Sequence, residues 1–394
     1  MILVSPFKPK ARALIKGRQK TLPYLEKTLT EATGPLLWVH ASSIGEYEQG
    51  RPVIEKFKKQ YPHYKVLVSF YSPSGYEAMQ TDEVVNYKCY LPLDTRKNAR
   101  KFLALVRPDV VMFVKYEFWH FYLDEVYKND IPLFGISTIF RQSQVFFKGY
   151  GKFFRKMLKK FSFFYVQDDA SQQLLHSLNI NSLVTGDTRL DRVLALRDEE
   201  VSFPEIKEFC QDQRVFIIGS LRREDLELCK AFIRLNTTTK FIIAPHEINE
   251  EMMRPLEEEF TCSRYTQLDG KQVEGQILII DTVGILAKIY RYGQFAYVGG
   301  GLSDGLHNIL EPAVYELPVF FGNREYTRFK EALDLIGLGT AFAIGSAGEM
   351  NRHYHEISED PEQHEQIVQR IKAYLELNKG ASERIIDHLQ GYLK

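Results

Sequence analysis

Two groups of residues in this chain have the types and spacing to do chemistry, one around Glu46 and one around Asn308 and Glu311. Glu46 closes Ser42-Ser-Ile-Gly-Glu, which follows the apolar run LLWVHA (36–41) and precedes Val53, Ile54, Phe57 and Tyr61 at helical spacing. A carboxylate placed there stands at a strand-to-helix junction, where open α/β sheets bind their ligands. In that position it can take a proton from a hydroxyl. The same residues, Ser43-Ile-Gly-Glu46, also spell a capping box, in which the serine accepts the third helical N–H and the glutamate reaches back to the cap. The local pattern leaves both roles open.

The second group lies in YVGGGLSDGLHNILEPAVYELPVFFG, 297–322. Gly300 and Gly301 belong to a triple glycine that ends a strand, and a backbone without Cβ atoms lets a ligand approach closely. Asn308, three residues before Glu311, is expected to open a helix whose N-terminus offers free N–H groups and a positive dipole end to an anion such as a nucleotide phosphate. Asn308-x-x-Glu311 can equally be a second capping box. Three further strand ends point to the same nucleotide side: Ser220 with Arg222 and Arg223, Pro245-His246-Glu247, and Thr282-Val283-Gly284-Ile285. No D-x-D, P-loop or G-x-S-x-G pattern occurs, nor does a G-x-G-x-x-G open the first domain. A dinucleotide dehydrogenase, a P-loop enzyme and a serine hydrolase are therefore disfavoured.

The elements that must carry these groups read as an alternation of short apolar runs and helical patterns. LLWVHA, KVLVSFY (65–71), DVVMFVKY (109–116), IPLFGIS (131–137), FSFFYVQD (161–168) and NSLVTGD (181–187) form one series. RVFIIGS (214–220), KFIIAPHE (240–247), GQILIID (275–281), QFAYVGGG (294–301) and LPVFFG (317–322) form another. Such βαβ alternation predicts parallel sheets covered by helices on both faces. At 394 residues the chain is long enough for two domains. We read residues 1–196 as an N-terminal domain, the charged 197–213 as a linker, and 214–394 as a C-terminal domain whose last helix can cross back.

Lys and Arg total 51, as do Asp and Glu, so no net charge argues for a nucleic-acid partner. The charge is unevenly spread. Residues 1–20 contain Lys8, Lys10, Arg12, Lys16, Arg18 and Lys20 and no acid, and FFKGYGKFFRKMLKKFSFF (146–164) interleaves bases with aromatics. Both suit an anionic membrane surface, where each basic residue contributes about 1 kcal/mol. No apolar run reaches the length of a spanning helix, MILV is too short for a signal-peptide core, and the expected location is cytoplasmic. Cys89, Cys210, Cys229 and Cys262 are scattered without C-x-x-C spacing and read as reduced thiols.

In chain order, HASSIGEYEQGRPVI, RPDVVMFVKYEFW, VTGDTRLDRV and VGGGLSDGLHNILEPA resemble the 3-deoxy-D-manno-octulosonic acid (Kdo) transferases of lipopolysaccharide assembly. The resemblance implies a GT-B glycosyltransferase, with two doubly wound (Rossmann-like) domains facing a cleft. It further implies metal-independent, inverting transfer of Kdo from CMP-Kdo to a lipid A precursor of the lipid IVA type, without a cofactor, at the cytoplasmic face of the bacterial inner membrane. By the same resemblance Glu46 is the catalytic base, Ser43, Gly45 and Glu117 lie on the acceptor side, and Asn308 and Glu311 contact CMP. Pro245, His246, Gly284 and Ile285 fall in nucleotide-side loops, joining Ser220, Arg222, Gly300 and Gly301.

Several positions depart from the family pattern. Pro245-His246-Glu247 stands where Pro-Arg-His is common, which makes Arg222 the substitute cation. Lys115 replaces a frequent acid, and Leu306 a frequent glycine. MILVSPF is shorter than the family's usual apolar N-terminal segment. A two-domain sugar-nucleotide epimerase and a non-catalytic nucleotide- or lipid-binding protein are the alternative readings.

Overall fold

A computed structural model describes residues 9–29, 33–79, 83–211, 213–268, 275–303 and 305–393. MILVSPF, Lys8, the side chains of Lys10 and Arg12, and Asp304 lie outside the described residues. The chain divides into two units, residues 1–192 with 378–394, and residues 193–377.

The first unit is a seven-stranded sheet of β1 (Leu36–Ala41), β2 (Lys65–Phe70), β3 (Tyr87–Tyr90), β4 (Val110–Val114), β5 (Leu133–Thr138), β6 (Phe163–Val166) and β7 (Ser182–Val184). All neighbours are parallel, in the order β3-β2-β1-β4-β5-β6-β7. Parallel strands are covered on both faces, which is why β1 is buried along its whole length and apolar apart from His40. Leu37, Val39 and Ala41 pack with Ile54 and Phe57 on one face, while Trp38 packs with Phe102, Phe113 and Tyr122 on the other. The chain builds outward from β1 to β3, then returns to place β4 on the free side of β1. This reversal makes the β1/β4 boundary a topological switch point.

The second unit repeats the plan with β8 (Val215–Leu221), β9 (Lys240–Pro245), β10 (Cys262–Arg264), β11 (Ile277–Ile279), β12 (Phe295–Val298), β13 (Val319–Gly322) and β14 (Ala341–Ile344). Its parallel order is β10-β11-β9-β8-β12-β13-β14, so its switch point lies between β8 and β12. Residues 204–210, inside the stretch expected to connect the domains, form a helix whose Ile206 and Phe209 join the core of this unit. The last helix, Ala381–Leu389, places Ile385, Ile386 and Leu389 in the core of the first unit.

The helix Pro9–Leu29 exposes Lys16 and Lys20 but turns Arg18 inward, its guanidinium 4.3 Å above the Tyr71 ring and donating to the Tyr71 carbonyl at 3.2 Å. In the basic aromatic stretch, the helix Lys152–Leu158 buries Met157 and Leu158. Tyr150, Phe153 and Phe154 remain 79%, 52% and 38% exposed, among the exposed Lys152, Lys156 and Lys159. No helix among the described residues is long and apolar enough to cross a membrane. The four cysteines are free thiols, three of them buried.

Candidate active site

In the first unit, β1 runs into Ser42 and Ser43, and Ser43 caps the helix Ile44–Gln60. Ser43 Oγ accepts the Glu46 N–H at 3.4 Å, while Glu46 Oε2 accepts the N–H groups of Ser42 at 2.6 Å and Ser43 at 3.2 Å. The capping box is therefore formed. It uses one carboxyl oxygen, and among the described residues no hydrogen-bond partner is found for Oε1. Capping and proton transfer are thus compatible in the same side chain. Gly45 is exposed, and a Cβ there would meet no atom of the chain within 4 Å, so packing does not demand glycine at this position.

Across the switch point, just past β4, stands Glu117, only 6% exposed. Its Oε1 accepts the Ser42 hydroxyl, and its Oε2 accepts Trp119 Nε1–H at 2.5 Å and lies 3.1 Å from His40 Nε2. Ser42 thereby connects the two carboxyl groups, through its N–H to Glu46 and its O–H to Glu117. His40 in turn has Nδ1 2.9 Å from both the carbonyl and the hydroxyl oxygen of Ser69, whose hydroxyl accepts Trp38 Nε1–H at 2.7 Å.

The surroundings drive the two carboxyls apart. Burial pushes Glu46 up, and the Glu117 charge adds to this, against the Ser42 N–H and the Lys115 ammonium. Burial also pushes Glu117 up, but the hydrogen bond and charge of His40, with the bonds from Ser42 and Trp119, outweigh it and hold this carboxyl below its ordinary value. One carboxyl is set to exchange a proton while its neighbour stays ionised. Lys115 supplies its charge from a left-handed backbone (φ 63°) just past β4, a conformation that costs a non-glycine residue about 1–3 kcal/mol.

In the second unit, Arg222 follows β8 and caps the helix Arg223–Leu235. Its Nε–H donates to His307 Nε2 at 3.0 Å, its Nη2 lies 3.5 Å from His246 Nε2, and the two imidazole rings are 4.5 Å apart. His246 is held there because it follows Pro245 at the end of β9 and its N–H donates to the Leu221 carbonyl at 2.9 Å. Burial, then His246 and Arg222, push His307 down to about 4; burial and Arg222 lower His246. With both imidazoles held below their ordinary value, an anion beside them favours their protonated forms. A cavity of 240 Å³ is lined by Arg222, His246, Asn249 and Met252 among others.

Two expectations for this unit need correction. The helix expected to begin at Asn308 is a four-residue turn, Leu310–Ala313, with Ile309 rather than Asn308 at its cap. Asn308 Oδ1 accepts the Leu310 N–H at 3.3 Å and its Nδ2 donates to Glu311 Oε1 at 3.3 Å, so it organises a turn and no long helix dipole stands behind it. The triple glycine also has a structural cause. Gly300 has φ 93°, and a Cβ on Gly301 would come 2.4 Å from the Gly322 carbonyl oxygen. Close packing of the chain on itself requires these glycines whether or not a ligand approaches.

The remaining expected residues divide. Ser220, the residue before the last of β8, has a left-handed backbone (φ 52°), with its carbonyl against Gly299. Gly284 (φ 88°) precedes Ile285, which packs on the core around Tyr290. Among the described residues, no hydrogen bond ties Gly284 or Ile285 to the group of Arg222, His246 and His307. Burial pushes the Glu311 carboxyl up to about 7, against the Asn308 hydrogen bond. Sequence reasoning passed over His40, Ser42, Trp119, Asp225 and His307. A histidine inside an otherwise apolar buried strand was the available signal for His40, because such a group must find partners.

Two all-parallel, seven-stranded units, each with a polar cluster at its switch point, define a GT-B fold of two Rossmann-like domains. Solved structures agree at the level of fold. UDP-GlcNAc 2-epimerase from Neisseria meningitidis, bound to UDP-GlcNAc, matches with a TM-score of 0.66 at 16% identity over 91% of this chain and 100% of its own. A putative UDP-N-acetylglucosamine 2-epimerase from Listeria monocytogenes matches with a TM-score of 0.65 at 13% identity over 91% and 97%. Residues 15–192, most of the first unit, match the family described as 3-deoxy-D-manno-octulosonic-acid transferase (kdotransferase).

Curated relatives extend over both units. The 3-deoxy-D-manno-octulosonic acid transferase of Haemophilus influenzae is 25% identical over 91% of this chain and 87% of its own length. That of Aquifex aeolicus is 26% identical over 77% and 81%. A bifunctional glycosyltransferase/methyltransferase of Fusobacterium nucleatum is 25% identical over 90% of this chain, which spans only 58% of that longer protein.

Proposed function

We propose that this chain moves Kdo from CMP-Kdo to a lipid A precursor of the lipid IVA type in lipopolysaccharide inner-core assembly, inverting the anomeric centre. The acceptor hydroxyl gives its proton to Glu46 as its oxygen bonds to the anomeric carbon, and the bond from that carbon to the phosphate oxygen breaks with its electron pair leaving on CMP. Arg222, His246 and His307 receive the charge that grows on the leaving phosphate. Asn308 and Glu311 serve the CMP nucleoside, and Ser43, Gly45 and Glu117 serve the acceptor side. The reaction proceeds without metal, so turnover in excess EDTA is expected to persist; loss on chelation with restoration by magnesium would refute this part.

One observation carries the reading. Glu46 lies in the segment matched to Kdo transferases, with one carboxyl oxygen held by the helix cap and its proton affinity raised by burial. The acceptor is a lipid, and the exposed Tyr150, Phe153 and Phe154 among lysines supply a contact for an anionic membrane surface, placed on the cytoplasmic face of the inner membrane.

Mass spectrometry of a reaction containing CMP-Kdo, generated in situ, and a tetraacylated lipid A precursor tests the proposal. A product heavier by one or more Kdo residues is expected. An unmodified acceptor, together with turnover of a labelled UDP-sugar alone, would favour a sugar-nucleotide epimerase.

A further inference from the structure

Asp225 is a fully buried carboxylate that the proposed chemistry leaves unused. It sits in the first turn of the helix Arg223–Leu235, and its two oxygens accept from three residues at two strand ends. Oδ2 accepts the Arg222 N–H at 3.3 Å and the Gly300 N–H at 2.9 Å, while Oδ1 accepts the Tyr297 hydroxyl at 2.7 Å. Arg222 follows β8; Tyr297 belongs to β12 and Gly300 follows it. The carboxylate therefore clamps together the two strand ends that form the switch point of this unit.

The clamp also decides which groups can meet a ligand. The backbone N–H groups of Arg222 and Gly300 point inward at Asp225 and are not offered to a ligand, which leaves the Arg222 guanidinium and the imidazoles of His246 and His307 as the side chains gathered there. Two of those side chains arise from segments that Asp225 ties: Arg222 directly, and His307 through the loop from Gly300, with the His307 N–H donating to the Gly299 carbonyl at 3.2 Å. We infer that Asp225 is a positioning residue for the nucleotide phosphate, holding Arg222 and His307 at the separation that one phosphate group can bridge. The inference rests on the proposed donor site and deepens it.

The variant that tests it is Asp225→Ala in the full chain, with CMP as the probe in calorimetry and the kinetic constants of transfer alongside. Removing the acceptor strands two buried N–H groups and frees both loops, so CMP affinity is expected to fall about tenfold or more. The donor KM should rise in parallel, with kcat and the acceptor KM little changed. Asp225→Asn should rescue most of the loss, because its carbonyl can accept both N–H groups while its amide donates to the Tyr297 oxygen. Tyr297→Phe keeps the Arg222 and Gly300 bonds, so it should lower stability without changing CMP affinity.

If Asp225→Ala does not fold, Asp225→Ser is read in the same way. A folded Asp225→Ala or Asp225→Ser chain with parental CMP affinity would overturn the inference. In that case, Glu311→Ala separates the two levels: weakened CMP binding in Glu311→Ala leaves the donor reading standing, and undiminished binding there removes it too.

Discussion

Burial pushes the Glu311 carboxyl up to about 7, and the sign of its effect on stability follows. The unfolded chain releases this proton near the ordinary value of 4.5 while the folded chain keeps it to about 7, so stability falls as pH rises between those values and is level above them. Glu311→Gln has no proton to release. In urea titrations at pH 5 and pH 8, the parental protein is expected to lose stability at the higher pH and the variant to lose less of it; equal losses would show that Glu311 does not titrate this way. Glu311→Ala should also weaken CMP binding by about 1.5–3 kcal/mol, the worth of a hydrogen bond to a charged group. At this scale the sequence pointed to Glu46, Arg222 and His246 because each follows an apolar run, and to Glu117 only through the family resemblance. It did not show the network around His40, whose partners Ser69 and Glu117 lie 29 and 77 residues away in the chain. Periodicity carries no information about contacts of that range.

The last helix supports a sheet laid down early in the chain. Ile385 is fully buried among Val39, Ile54 and Phe57, so Ile385→Ala should cost about 2–5 kcal/mol, read as a lower denaturation midpoint for the first unit. A change below about 0.5 kcal/mol would mean that this helix is not a fixed part of that core. Interior strands were legible to within two or three residues, since burial on both faces makes them continuous apolar runs. β3, β10 and β14 were not. All three are edge strands, and YKCY, CSR and AFAI are short and only partly buried, which blurs the pattern that marks a strand. The helix expected after Asn308 failed for a related reason: Asn-x-x-Glu describes a cap equally well on a single turn and on a long helix.

On the proposed reading the second unit serves the nucleotide, the first serves the acceptor, and the acceptor is a lipid. With Tyr150, Phe153 and Phe154 exposed among lysines, binding to liposomes should require anionic lipid and weaken as salt rises. Equal sedimentation with neutral liposomes at high salt would remove the electrostatic part of that contact. The central claim is that Glu46 deprotonates the acceptor while the second unit holds the donor, and the most direct measurement is the rate of Kdo transfer by Glu46→Gln across pH, with CMP affinity measured in parallel. Glutamine can still accept the Ser42 and Ser43 N–H groups, so the fold and CMP binding should persist. Transfer should fall about 10²–10⁴-fold. The parental acid limb, set above the ordinary carboxylate range by burial of Glu46, should disappear. A Glu46→Gln enzyme that transfers Kdo at near the parental rate, with its acid limb intact, would contradict the account.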